Sequence, residues 1–92
     1  MLLYHASPLS RVQSIDAHGL LVAKAEHATK AIWLCTKQYL DWAIAHVAQH
    51  RNVPESQLAV FVVEVPRRWL RRKRRGIWLC PQDIPAGRIQ QI

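Results

Sequence analysis

Residues Leu3 to Leu20, LYHASPLSRVQSIDAHGL, carry the signals of a strand followed at once by a helix. MLLYHAS has a strand's length and its apolar, aromatic character. Ser7 is a residue type that caps helix N-termini, Pro8 suits the first helical position, and Gly19 stands where the helix would end. Between them, Leu9, Val12 and Ile15 recur at the spacing of one buried helix side. Such an opening predicts an α/β (α+β) domain, and the following residues extend it.

LLVAKAEHATK, from Leu20 to Lys30, has no clear period and reads as a loop that could cover a site. AIWLC is a strand, and in TKQYLDWAIAHVAQH the residues Leu40, Ala43, Ile44 and Val47 recur at helical spacing behind Thr36, a second candidate N-cap. Tyr39 and Trp42 in this helix read as core or rim packing. RNVPESQ is a turn, LAVFVVEV a β-branched strand, GIWLC another strand, and PQDIPAGRIQQI a proline-bounded turn before a short last strand. The expected order is β-α-loop-β-α-β-basic segment-β-turn-β, one domain over 1–92 with two main helices.

IWLC occurs twice, at Ile32 to Cys35 and Ile77 to Cys80. In each copy Ile and Leu point one way and Trp and Cys the other, so two such strands are expected to offer the same faces to one core.

With 92 residues the chain can bury roughly 60–65% of its unfolded surface, one modest core. Half the residues are hydrophobic, yet no apolar run is long enough for a membrane span, which points to a soluble, cytoplasmic protein. Cys35 and Cys80 lack the close second Cys of a zinc site, so no metal is expected and two buried free thiols are favoured over a disulfide. Seven of the 13 basic residues fall in RRWLRRKRR: Arg67, Arg68, Arg71, Arg72, Lys73, Arg74 and Arg75. The other six balance the six acidic residues, so this segment carries the formal charge of +7. Basic residues interleaved with Trp69 suit a nucleic acid or dinucleotide, although a solvated surface has the same composition.

LYHASPLSRVQSIDAHGL resembles the opening of ADP-ribosyltransferase-fold domains, which read Leu-Tyr-His-Gly-Thr and then a helix with Ile before a Gly-Leu pair. AIWLCTKQYLDWAIAHV is similar to that family's next strand, small polar residue and helix. RRGIWLCPQDIPAGRIQQI resembles the Asn-Gly-Val-Trp-Leu-Thr ending and Val-Pro turn of the NAD-binding lobe of the RNA 2′-phosphotransferases.

The resemblance implies a split β-sheet whose cleft holds NAD. His5 would hydrogen-bond the nicotinamide-side ribose, Ala6 and Ser7 would line the same pocket, Trp33 would stack on nicotinamide, and Thr36 would occupy the relatives' Ser/Thr position. Where the phosphotransferases place an Arg before the second strand, this sequence has His27 and Lys30, so Lys30 joins His5 as a candidate catalytic residue. Glu64 and Asp83, the acids of the last strands, read as structural. The implied activity is transfer of ADP-ribose from NAD to a phosphate-bearing RNA or DNA acceptor held by Arg67 to Arg75, with a protein partner completing the site as a further expectation. The alternatives are a non-catalytic nucleic-acid-binding module and a protein-interaction module, both using the basic segment.

Overall fold

Strand β1 (Leu2–Pro8) runs further than its sequence signals suggest, and the computed structural model, which describes residues 1–25 and 30–92, shows why. Every residue from Leu2 to Pro8 pairs antiparallel with β3 (Leu58–Glu64), Leu2 opposite Glu64 and Pro8 opposite Leu58. Ser7 therefore caps nothing: it is buried in the sheet opposite Ala59. Pro8, which has no N–H to donate, ends the strand. A 3-10 turn at Leu9–Arg11 then leads into α1 (Val12–His18), which buries Ile15 and leaves Leu9 exposed rather than on its inner side.

The remaining elements are β2 (Ile32–Cys35), α2 (Leu40–Arg51), β4 (Arg71–Arg74), β5 (Ile77–Cys80) and β6 (Ile89–Gln91). Among the described residues the result is an α+β domain with two α-helices and a six-stranded antiparallel sheet in the order β4-β5-β2-β1-β3-β6. Thr36 does stand at the N-terminal end of the second helical stretch, but a 3-10 turn at Lys37–Tyr39 intervenes and its side chain makes no capping hydrogen bond. Asn52 ends α2 in the left-handed conformation, φ 55° and ψ 48°, as a polar residue at this position often does.

The basic segment adds a strand that the sequence order lacks. Arg67 to Trp69 form a 3-10 turn and Arg71 to Arg74 form β4, wholly exposed at the sheet edge. A two-residue turn, Arg75-Gly76 with Gly76 at φ +80°, joins β4 to β5. Edge strands carrying charge resist pairing with other chains, so this placement has a structural logic of its own.

The two IWLC copies are direct neighbours, Ile32 opposite Cys80, Trp33 opposite Leu79, Leu34 opposite Trp78 and Cys35 opposite Ile77. Opposed residues in a sheet share a face, so antiparallel pairing of four with four reverses the expectation: Ile and Leu of one copy lie with Trp and Cys of the other. Ile32, Leu34 and Cys80 join Leu3, Phe61 and Val63 in the main core, closed by Ile15, Leu20 and Ile84. The other face, where Ala6, Cys35 and Ile77 are buried, is covered by α2, which packs across β1. The thiols are free, buried and on opposite faces, and burial pushes Cys35 up to about 11 and raises Cys80 as well.

Candidate functional site

The sheet opens between its two middle strands. A single pair, Tyr4 opposite Cys35, joins β1 to β2, whereas seven join β1 to β3 and four join β2 to β5. Where the β1–β2 ladder stops, a side chain bridges the opening: His5 Nδ1 lies 2.9 Å from the Trp33 carbonyl oxygen. A carbonyl only accepts, so Nδ1 carries the proton and Nε2 is left as an acceptor.

A cleft of about 130 Å³ runs through this opening, lined on β1 by His5, Ala6 and Ser7, and across from them by Trp33 and Leu34. Residues of both faces of β1 reach it because the strands have parted. Arg11, Ile15 and Leu20 form one wall, and Trp42, Ala43, His46, Val47, His50 and Arg51 of α2 form the other. A cavity of about 150 Å³ takes a benzene ring, so the enclosed part suits one flat ring and a longer ligand would extend outward. Among the described residues the charged groups lining the cleft are Arg11, Lys24 and Arg51, with no carboxylate.

His5 is therefore a neutral imidazole in a positive field. Burial holds it below the ordinary histidine value of 6.5, the Trp33 carbonyl opposes that shift, and Arg11 and Arg51 add to it. With the folded-state value lowered, the unfolded chain takes up a proton near pH 6.5 that the folded chain refuses, so stability falls as pH drops below 6.5 towards the folded value. Urea unfolding at pH 7.5 and 5.5 should show wild type losing more stability than His5→Asn, whose amide keeps a donor near Nδ1 without titrating. The same loss in both proteins would remove His5 as the cause.

The structure thus brings His5, Ala6, Ser7 and Trp33 together. It does not bring Thr36 or Lys30 to the cleft. Thr36 sits beyond the end of β2, its N–H donating to the Gly76 carbonyl at 3.0 Å, and Lys30 is exposed with φ 50°. His27 lies in residues 26–29 of the loop expected to cover the site, which are outside the described residues; the rest of that loop, Leu20 to Ala25 and Lys30, is described. Both acids have structural partners. Glu64 accepts from Arg88 at 2.7 Å, and Asp83 Oδ1 accepts the Val22 N–H at 2.8 Å, tying the loop after β5 to the turn after Leu20.

The basic residues also stand outside the cleft. β4 lies two strand spacings from β2, roughly 10 Å, on the far side of β5. Arg67 lies 5.2 Å over Trp78, while Arg74 lies 4.8 Å over Trp42 on the α2 side. Arg11, Lys24, His46, His50 and Arg51 are among the cleft residues not singled out from the sequence. Trp42, His46 and His50 did carry a signal, a four-residue spacing that puts them on one helix side.

No protein-family model matches the chain, and no curated protein matches it. The functional reading rests on the cleft itself.

Proposed function

We propose that the chain is an NAD-binding domain of ADP-ribosyltransferase type acting with a phosphate-bearing nucleic-acid acceptor. One observation carries this reading: β1 and β2 part at His5, and the Trp33 carbonyl holds the imidazole with Nε2 as an acceptor beside a ring-sized cavity. NAD fits these residues in kind. The cavity suits its nicotinamide ring, Nε2 can accept from a ribose hydroxyl, and Arg11 and Arg51 suit the pyrophosphate.

Transfer breaks the ribosyl C1′–N bond, both electrons leaving with nicotinamide, while an acceptor oxygen supplies the pair for the new C1′–O bond. A phosphate oxygen is nucleophilic without a general base, which accords with a cleft whose charged lining, among the described residues, is Arg11, Lys24 and Arg51. This chain's residues would orient the dinucleotide and stabilise its charge. Arg71 to Arg74, exposed along β4, would gather the acceptor's phosphates.

Calorimetric titration with NAD tests the reading. Binding in the micromolar to sub-millimolar range is expected, weakened about tenfold in His5→Ala through loss of one hydrogen bond. An unchanged dissociation constant in the variant, or no binding by wild type, would refute it. The wholly exposed basic edge favours a second reading, nucleic-acid binding without NAD, identified by steep salt dependence and indifference to NAD.

A further inference from the structure

β4 is basic throughout, yet its side chains are not equivalent, because an irregularity in the strand divides them. In an unbroken strand Arg72 and Arg74 would share one face and Arg71 would take the other. Here Arg71 stands opposite Leu79 and Arg72 opposite Trp78, but the register shifts before Arg74, which stands opposite Ile77. Lys73 is the extra residue of a bulge, and it turns Arg74 onto the face of Arg71. That is the α2 side, where Ile77 is buried and Arg74 lies 4.8 Å over Trp42, itself a residue of the cleft. Arg72 stays on the other face beside Trp78, which packs on the main core with Arg67 5.2 Å over its ring.

The α2 side also leads to the cleft. Arg71, Leu79 and Trp33 form one row across β4, β5 and β2, from the sheet edge to the cleft wall, with half-buried Leu79 as an apolar floor between. Among the described residues no acid pairs with Arg71 or Arg74, so both charges remain for a ligand.

We infer that this surface is the track of the phosphate-bearing strand, a single-stranded nucleic acid whose successive phosphates meet Arg71 and Arg74 and whose end crosses Leu79 to the cleft. The inference rests on the nucleic-acid half of the proposed function and narrows it, since Arg67 and Arg72 carry the same charge on the face that leads away. The track ends at a ring-sized cavity with Arg11 and Arg51 in its walls, so a chain bearing both phosphates and flat bases matches the two parts together. An acidic peptide matches only the charge.

Fluorescence anisotropy with a labelled single-stranded RNA, read across a range of salt concentrations, tests the track on two matched double variants. Arg71→Gln with Arg74→Gln, and Arg67→Gln with Arg72→Gln, each remove two exposed charges and one guanidinium–indole contact. The first pair is expected to weaken binding at least tenfold at about 0.1 M salt and to lower the slope of log K against log salt by about 1.4, the share of two phosphate contacts on a single strand. The second should stay within about threefold of wild type and change the slope by less than about 0.5. The same titration with single-stranded DNA identifies the backbone, and either nucleic acid that obeys this order supports the track.

Equal losses in the two variants, or a larger loss in the second, would overturn it while leaving nucleic-acid binding in place. Poly-glutamate displacing the labelled strand as well as unlabelled RNA does would overturn it too, because the surface would then read charge alone. No binding by wild type would overturn the track together with the nucleic-acid reading. The NAD reading fails by a separate result, unchanged NAD affinity in His5→Ala, which leaves the comparison of the two faces as it was.

Discussion

Gly19→Ala is expected to lower stability by about 3–5 kcal/mol, one of the two largest single-residue effects expected in this protein. Gly19 has φ 78° and ψ −163°, a region of backbone space open essentially to glycine alone, and occupying it with another residue costs about 1–3 kcal/mol. Space is also lacking: a Cβ there would lie 2.1 Å from the Ile84 carbonyl oxygen and 2.8 Å from the Ala86 nitrogen. Both neighbours are backbone and cannot swing aside. Relieving the clash means parting Leu20 from Ile84, whose two reciprocal 2.9 Å hydrogen bonds close one end of the core at about 1 kcal/mol each.

A domain of this size has a total stability of roughly 5–14 kcal/mol, so the variant should melt more than about 12 °C below wild type by circular dichroism. Gly87→Ala is the control, since nothing lies within 4 Å of its Cβ position, and it should stay within about 0.5 kcal/mol of wild type. A Gly19→Ala protein melting within about 3 °C of wild type would contradict the close approach. Because Gly19 and Leu20 also line the cleft, the folded fraction of the variant should bind ligand more weakly.

The helix end at Gly19 was legible because local chemistry decides it: few other residues tolerate that backbone conformation. The helix start was not. Ser7-Pro8 is a sound N-terminal signal, but seven residue pairs with β3 outweigh one cap, and the strand runs through it. β3 announced itself through its β-branched residues, and Ala59, Phe61 and Val63 alternate into the core as period two requires. β4 did not, since Arg-Arg-Lys-Arg has no strand pattern. It is a strand only because the Gly76 turn lays it beside β5.

For the same reason, IWLC could be recognised as two strands, yet its faces could not be assigned. Register decides them, and a shift of one residue reverses every side chain. In the site, His5 was legible through its neighbours in sequence. Arg51 was not, because the packing of α2 across β1 brings it to His5 from an element far along the chain.

Phe61→Ala is expected to cost about 3–5 kcal/mol, the range for removing a large aromatic ring from a packed core. Phe61 is fully buried on the middle residue of β3, between Ala59 and Val63 in the main core. Its position gives it a second consequence. Phe61 pairs with His5 across β1 and β3, so the two residues are cross-strand neighbours on one face of the sheet, Phe61 on the side away from β2. Burial is the largest factor holding His5 neutral. A void beside it would admit water and lessen that factor, so in the folded variant the His5 imidazole should titrate closer to 6.5 than in wild type. Phe61→Leu keeps most of the volume, should cost no more than about 1.5 kcal/mol, and should leave His5 nearer its wild-type titration. Chemical denaturation of both variants, with NMR titration of the His5 ring, separates these effects. A Phe61→Ala protein that loses stability yet keeps the wild-type His5 titration would show that the cleft is insulated from the core behind it. If both change together, the core residue opposite His5 is part of what keeps Nε2 an acceptor at neutral pH.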